Sequence, residues 1–196
     1  MRKIIIVLLL SFVCISCEKF LDVTPTDVAY DDKLLTDRSG FEAALAGAYI
    51  TLNGEKAYGK ALKYGFMETL VGSYASLNSS HLYYRSYQHS YNYEQPKKDI
   101  EGIWQSLYST INQMNIILAN VEKINTDPNY LLIKGEALGI RALCHFELLK
   151  IFGPVILQEG ASAAAIPYRD AVDLKAAKFL SATEVRERLN KDLEAA

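Results

Sequence analysis

The chain has 196 residues, of which 50% are hydrophobic, 22% charged and 11% aromatic, and this globular balance excludes disordered, collagen-like and low-complexity proteins. The formal net charge is -2 with no block of Lys and Arg, so the chain lacks the basic signature of a nucleic-acid partner. The 3 Cys and 3 His are few for a metal cluster, whereas the 13 Tyr stand out against 7 Phe and 1 Trp.

The first residues have the pattern of an export signal. Basic residues in 1–3 are followed by an apolar run over 4–13, in which only Ser11 is polar. This run is too short to cross a bilayer as a helix, which takes about 20 residues, but it suits a secretory signal. We therefore predict a signal peptide over residues 1–16.

Cys17 is the predicted lipid acceptor. The stretch 14–17 resembles the cleavage box of bacterial lipoproteins, because the small Ser16 stands directly before Cys17. Acyl chains such as palmitate on the Cys17 thiol would hold the mature chain of 196 − 16 = 180 residues on a membrane. Cys14 is a poorer acceptor because the bulky Val13 precedes it. The alternative is an ordinary cleaved signal with incidental cysteines.

Two helices are predicted after an extended tether. Residues 17–36 have no sustained period, and Pro25 with the Asp residues favours an extended tether there. Ser39 and Glu42 have the spacing of a capping box, and the apolar period that follows predicts a helix over 40–53. A weaker period predicts a second helix over about 56–71.

The stretch 72–99 loses the helical period and contains six tyrosines. From 83 to 93 the aromatic residues fall mainly at odd positions and the polar residues at even ones. Such alternation predicts an extended segment with one aromatic side.

Two long helices follow. A strong apolar period predicts a helix over 100–124, with Asp99 as its cap. A second helix is predicted from Pro128, with Asp127 as its N-cap, to about residue 152, where Gly and Pro end it. Its predicted seam is Leu131, Gly135, Leu138, Ala142, His145, Leu149 and Phe152.

The last part of the chain is predicted to be a loop followed by a helix. Residues 155–180 have a loop-like composition. Ser181 and Glu184 form a second capping-box pattern, and an apolar period continues from there to the end. This helix has no C-terminal cap, so we expect the domain over 37–196 to be truncated at its C-terminus. The alternative is a terminal helix that frays.

The two long helices resemble a tetratricopeptide hairpin, in which large residues of one helix pack over small residues of the next. Here Trp104 and Tyr108 would face the helix that carries Ala142 and Phe146. The alternative is any antiparallel helical hairpin with a good core. The predicted fold class is mainly α, with tetratricopeptide-like antiparallel helical hairpins and long irregular loops.

Together with other segments, this pair resembles the N-terminal portion of the SusD/RagB family of outer-membrane lipoproteins. The most specific element is the helix segment 135–146, and Ile140 in it departs mildly from the usual Leu. The segments that carry the resemblance, in the family's order, are 17–25, 104–115, 135–146, 152–155, 166–169 and 183–185.

This resemblance implies a function and partners. Members of the family are lipid-anchored in the outer membrane, face the cell exterior, and bind glycans or other nutrients. They sit as a lid on a SusC-type TonB-dependent transporter. Their fold is helical, tetratricopeptide-like and rich in loops. They are much longer than this chain and place part of their ligand site in the C-terminal region, which it does not match.

The tyrosines of the aromatic segment are the predicted ligand residues. A Tyr ring can stack on the apolar face of a sugar while its hydroxyl bonds the polar edge. Arg85 and His89 could add polar contacts, although a solvated loop is the simpler reading. The rings could instead cover helices or face a partner protein. The candidate ligand-binding residues are Tyr83, Tyr84, Tyr87, Tyr91 and Tyr93.

Catalysis finds no support in the motifs. The chain has no HExxH, GxSxG, glycine-rich phosphate loop or Cys/His metal spacing, so we expect no enzyme, no cofactor and no metal. His145 and Cys144 are predicted to be core residues. Arg141, with Glu136 and Glu147, is expected to pair on a helix surface or to hold a loop. The alternative function is a scaffold or assembly lipoprotein that binds protein and no glycan.

Overall fold

The computed structural model describes residues 34–173 and 175–196. Cys17, the predicted signal peptide and residues 17–33 of the predicted tether lie outside the described residues. The helices and strands, in chain order, are α1 (Arg38–Leu52), α2 (Phe66–Leu70), α3 (Tyr84–Tyr87), α4 (Glu94–Asn120), a 3₁₀ turn (Val121–Ile124), α5 (Tyr130–Phe152), α6 (Ile156–Glu159), β1 (Ala164–Pro167), β2 (Phe179–Ser181) and α7 (Ala182–Ala195).

Helix α1 starts with a different cap from the predicted one. The N-cap is Asp37, whose Oδ1 accepts a hydrogen bond of 3.0 Å from the N–H of Gly40. The predicted capping box of Ser39 and Glu42 is wrong, because Glu42 accepts a hydrogen bond of 2.6 Å from Arg38 Nε instead. The helix itself is confirmed, and its buried face includes Phe41 and Leu45 as the period indicated.

The helix predicted over about 56–71 is mostly wrong. Residues 53–65 form consecutive turns, and only α2 is helical. Wide turns replace the helical hydrogen bonds: the N–H of Tyr58 donates to Leu52 O at 2.9 Å, six residues back. Gly59 permits this close folding, since a Cβ there would lie 2.1 Å from Asn53 O. Gly59 thus favours turns over the helix that the weak apolar period predicted.

Helix α4 begins at Glu94, six residues before the predicted start. Asp99 is therefore not a cap but a buried residue inside the helix. Its carboxylate pairs with Lys56 Nζ at 3.2 Å and accepts a hydrogen bond from Gln95 Nε2 at 3.1 Å. Because these partners satisfy the charge, Asp99 is compatible with a buried place in the helix.

Helices α4 and α5 form the antiparallel hairpin at the centre of the fold. The Trp104 ring meets the Phe152 ring edge-on at 5.0 Å, while Arg141 Nη1 donates to Asn115 Oδ1 at 2.9 Å near the other end. Helix α5 starts at Tyr130, two residues after the predicted start.

Asp127 is not the N-cap of α5, because its Oδ1 accepts from the Asn129 N–H, 2.7 Å away, before the helix begins. Leu131 was predicted in the seam but is 73% exposed, whereas Ile133, two residues later, is 2% exposed. Two positions in a helix point to nearly opposite sides, so the buried side of this turn is the one that carries Ile133. The seam residues Leu138, Ala142 and His145 are buried, as predicted.

The predicted loop over 155–180 is wrong in part. It contains the short helix α6 and strand β1, which pairs antiparallel with β2 through Ala164 and Ser181. Residues 165–168 form a buried run, and a short buried run is compatible with a strand packed on helices.

Helix α7 closes the core. Its predicted capping box is confirmed: Glu184 N–H donates to Ser181 Oγ at 3.2 Å, and Ser181 N–H donates to Glu184 Oε2 at 2.8 Å. Val185 and Leu189 are buried against the rest of the fold. The predicted class is confirmed, since the chain is mainly α with tetratricopeptide-like helical hairpins.

Candidate functional site

The aromatic segment is folded into turns rather than extended. The prediction of extended backbone over 83–93 is wrong, because the N–H of Tyr87 donates to Tyr83 O at 2.8 Å within α3. His89 then has a φ of 52° and reverses the chain. A strand needs a neighbouring strand to accept its backbone hydrogen bonds, and the only sheet in the described residues is β1 with β2.

Tyr83 lies in the core. Its side chain is only 6% exposed and meets the Phe66 ring edge-on at 6.4 Å, while Lys60 Nζ stands 5.8 Å from its centroid. Burial raises the pKa of the Tyr83 phenol to about 12. The Tyr83 ring is therefore packed in the core, and neither of its faces is open to a ligand.

The other four predicted tyrosines reach the surface. Tyr84 and Tyr87 are half-buried, and Tyr91 and Tyr93 are exposed. We call these four residues the tyrosine surface. Arg85 joins two of them: its guanidinium carbon lies 4.1 Å from the Tyr93 centroid and 5.7 Å from that of Tyr84. Cation–π contacts at this range hold the rings in place.

Hydrogen bonds orient three phenols of the tyrosine surface, those of Tyr84, Tyr87 and Tyr91. Gln88 Nε2 donates to the Tyr84 hydroxyl at 3.0 Å, and the Tyr91 hydroxyl lies 3.0 Å from His89 Nδ1. The Tyr87 hydroxyl donates to Ala75 O at 3.4 Å, which ties α3 to the preceding loop. The rings are thus partly oriented before any ligand arrives, which lowers the entropy cost of binding.

A second polar cluster lies in the core at the junction of α4, α5 and α7. Arg141 makes a bidentate pair with Asp192, with Nε to Oδ2 at 2.7 Å and Nη2 to Oδ1 at 2.5 Å. Asp192 Oδ2 also accepts from the Tyr168 hydroxyl at 2.6 Å. We call Arg141, Asp192, Asn115, Tyr168 and His145 the Arg141 cluster. Arg141 is buried, so the predicted pair on a helix surface is wrong. The predicted hold on a loop is confirmed, because Arg141 Nη1 also donates to Asp170 O at 3.4 Å.

His145 is a structural member of this cluster, as predicted for a core histidine. Its Nδ1 lies 2.9 Å from Arg141 O, its Nε2 accepts from the Arg169 N–H at 3.0 Å, and its ring stacks on Tyr168 at 3.7 Å. Burial lowers the pKa of His145 from 6.5 to about 4. The ring is therefore neutral at neutral pH, with both nitrogens occupied.

The predicted core cysteine and the acidic residues of α5 are also structural. Cys144 is buried, and this burial raises the pKa of its thiol to about 12, so the thiol is unreactive at neutral pH. Glu136 accepts from the Tyr49 hydroxyl at 2.7 Å, and Glu147 accepts from the Tyr58 hydroxyl at 2.9 Å. These bonds join α5 to α1 and to the turns after it.

Asp192 and Tyr168 were not predicted as partners of Arg141. A signal for Asp192 was present, because it lies three and seven residues after Leu189 and Val185, on the buried face of α7. A buried carboxylate is usually paired with a cation, and Arg141 is the buried cation among the residues that the structure describes.

The described residues contain neither a cluster of metal ligands nor a helix suited to span a bilayer. None of their His, Cys, Asp and Glu side chains form a group of three or more that could hold a metal ion. None of their helices is long and apolar enough to cross a membrane.

The chain matches known proteins over most of its length. Residues 19–196 match the SusD-like family model described as starch-binding associating with outer membrane. A SusD-like protein of Formosa agariphila is 26% identical over 172 residues, which cover 81% of this chain and 33% of that protein.

Solved structures share the fold. A crystal structure of a candidate sugar-binding protein of Bacteroides vulgatus is 25% identical, with a TM-score of 0.64 over 80% of this chain and 36% of that one. A SusD superfamily protein of Bacteroides thetaiotaomicron is 17% identical, with a TM-score of 0.59 over 79% of this chain and 35% of that one. The chain therefore spans about a third of the length of these relatives.

Proposed function

We propose that this chain, which belongs to the SusD-like family described as starch-binding associating with outer membrane, is a lipid-anchored protein that binds a glycan and delivers it to a SusC-type TonB-dependent transporter. The family membership and the sugar-binding neighbour point to a binding protein rather than an enzyme. The observation that carries the proposal is the tyrosine surface, because rings and hydroxyls are presented together there.

The glycan contact is assigned to the tyrosine surface. Tyr91 and Tyr93 are exposed and held by His89 and Arg85, so their rings can stack on a sugar face while neighbouring polar groups bond its hydroxyls. Aromatic contacts contribute about 0.5–1.5 kcal/mol each. Three such contacts contribute at most about 4.5 kcal/mol, so binding is expected to be no tighter than roughly the millimolar range. Weak binding of this kind suits a protein that must pass its ligand on.

The membrane anchor is assigned to Cys17. Ser16 directly before it and the apolar run over 4–13 support cleavage and acylation at this residue. Each buried acyl CH₂ contributes about 0.8 kcal/mol, so more than one chain would make the attachment essentially permanent. The lipid anchor and the location on the outer face of the outer membrane are parts of the same proposal.

The scaffold function is the second candidate, and exposed apolar residues on α5 favour it. Leu132, Leu143 and Phe146 are exposed, and their spacing places them on one side of the helix. An exposed apolar stripe on a helix is typical of protein contact. Binding to a transporter and binding to a scaffold partner would both use such a surface. Only the proposed transport function also requires glycan binding, so a glycan-binding assay distinguishes the two.

Retention on immobilised starch tests the glycan contact. We expect Tyr93→Ala to lose most of the retention, because this ring and its Arg85 contact lie at the surface. Tyr49→Ala is the matched control, since Tyr49 is 50% exposed and Tyr93 is 49% exposed, but Tyr49 lies on α1. If the wild-type chain is not retained but copurifies with an outer-membrane barrel protein, the scaffold function is the correct one. Sugar release without added enzyme would contradict both.

A further inference from the structure

A cavity of about 260 Å³ lies between α4 and the segment that leaves β1, apart from the tyrosine surface. Trp104, Tyr108 and Asn112 line it from α4, at a spacing of four residues that places them on one face of the helix. Pro167 and Arg169 line the opposite wall. The volume is just below the range of cavities that hold drug-sized ligands, which is about 300–1,000 Å³.

The walls of this cavity are fixed by hydrogen bonds. The Tyr108 hydroxyl donates to Pro167 O at 2.7 Å, and Asn115 Nδ2 donates to Arg169 O at 3.2 Å. The Trp104 ring packs against the rings of Phe152 and Tyr108, with centroid distances of 5.0 Å and 4.8 Å. A cavity with fixed walls binds at a lower entropy cost than a loop that must close.

Two polar groups in the cavity have no partner. Within residues 34–173 and 175–196, the indole N–H of Trp104 and the side-chain amide of Asn112 make no hydrogen bond, and neither is sealed from solvent. The amide can donate and accept, and the indole can donate. The guanidinium of Arg169 is already held by Asp173 Oδ1 at 3.0 Å and Lys175 O at 2.7 Å, so its charge is neutralised.

We propose that the Trp104 cavity is a second sugar-binding site, which takes one neutral pyranose ring. Aromatic and proline rings face the apolar side of the sugar, and Asn112 with the Trp104 N–H bonds its hydroxyls. A charged ligand is disfavoured because the only cation in the wall is paired. The site shares its ligand class with the proposed function but none of its residues. Trp104 lies 104 − 94 = 10 residues into α4, about 15 Å along the axis from its start beside Tyr93.

The single tryptophan makes this site directly observable. Trp104 is the 1 Trp of the chain, so its fluorescence reports only on the cavity. The probes are glucose, galactose, mannose and xylose, each titrated into the tens of millimolar. We expect a saturable change in Trp104 emission with at least one of them. Absence of a saturable change with all four sugars overturns the proposal.

Variants locate the response. Asn112→Leu removes the amide and fills the cavity, so we expect at least tenfold weaker binding, which equals about 1.4 kcal/mol. Asn190→Leu is the matched control, because Asn190 is exposed on α7. Far-ultraviolet circular dichroism verifies the fold of both, and Asn112→Ala is measured in the same way should the Leu variant not fold. Equal affinities for the Asn112 and Asn190 variants would overturn the proposal.

The failure of this site is distinguishable from the failure of the proposed function. Tyr93→Ala must keep the Trp104 response while it loses retention on starch. Loss of the Trp104 response in Tyr93→Ala would mean one shared site and would contradict the inference. If the chain is retained on starch but the Trp104 emission does not change with any sugar, the proposed function stands and the second site is refuted.

Discussion

Replacing Asp192 with Ala should destabilise the fold more than any surface substitution. Asp192 and Arg141 are 8% and 7% exposed, and Asp192 also accepts the Tyr168 hydroxyl at 2.6 Å. After the replacement, Arg141 keeps only Asn115 Oδ1 at 2.9 Å and Asp170 O at 3.4 Å. Removing one partner of a buried pair costs about 3–5 kcal/mol, because the other charge stays buried and uncompensated.

This cost should be visible as a shift in thermal unfolding. For a domain of this size, each kcal/mol lowers Tm by about 2–4 °C, so Asp192→Ala should lower it by roughly 6–20 °C in scans by circular dichroism. The double variant Arg141→Met with Asp192→Leu should unfold above Asp192→Ala, because no charge stays buried and unpaired. It should still unfold below the wild type, because the buried Tyr168 hydroxyl loses its acceptor.

Arg188→Met is the control for the Asp192 replacement. The Arg188 pair with Asp170 at 2.9 Å has side chains 44% and 51% exposed, and exposed pairs contribute at most about 1 kcal/mol. An Asp192→Ala variant that unfolds within 1 °C of Arg188→Met would refute the argument.

Three further predictions concern pH, backbone packing and the anchor. The stability should fall between pH 6.5 and about 4, because the folded pKa of His145 is lowered and the unfolded state takes up the proton first. The free energy of unfolding should fall by about 3 kcal/mol over this range, and by less in His145→Gln. Denaturant titrations at several pH values measure both, and the same dependence of the unfolding free energy on pH in the wild type and in His145→Gln would contradict the prediction. Gly59→Ala should destabilise by about 1–3 kcal/mol because its Cβ would lie 2.1 Å from Asn53 O, whereas Gly139→Ala, with open space around it, should stabilise α5 by up to about 1 kcal/mol in the same unfolding assay. Cys17→Ala should move the protein from the membrane fraction to the soluble fraction, and unchanged membrane association would rule out lipidation at Cys17.

The long helices could be predicted because their apolar period is strong. Leu107, Ile111 and Met114 repeat at helical spacing and are fully buried in α4, where the period placed them. Helix α7 was predicted by its capping box, whose two hydrogen bonds depend only on residues three apart. Local patterns therefore predicted the α4–α5 hairpin and the last helix.

The failures occurred where tertiary contacts overrule local pattern. The turns over 53–65 depend on close backbone contacts that only glycine allows, as at Gly59. Asp99 was predicted as a cap, but Lys56 from a distant turn stabilises it within α4. The first turn of α5 leaves Leu131 exposed although its residue type suits a core. None of these partners is visible from spacing along the chain.

The candidate site was predicted by composition but not by geometry. The excess of tyrosine identified the segment, and four of the five named residues reach the surface. The alternating pattern gave the wrong environment for Tyr83. This residue lies in a turn and not in a strand, and its ring packs on Phe66. The Arg141 cluster was visible only in part, since Asp192 lies fifty-one residues from Arg141 in the chain.

Isothermal titration of the purified chain with a linear starch oligosaccharide measures glycan binding at the tyrosine surface without any immobilised support. We expect a saturable heat with a dissociation constant near the millimolar range, at least tenfold higher in Tyr93→Ala and unchanged in Tyr49→Ala. A chain with native helicity that binds no oligosaccharide, or equal binding by the Tyr93→Ala and Tyr49→Ala variants, would contradict a glycan site at the tyrosine surface.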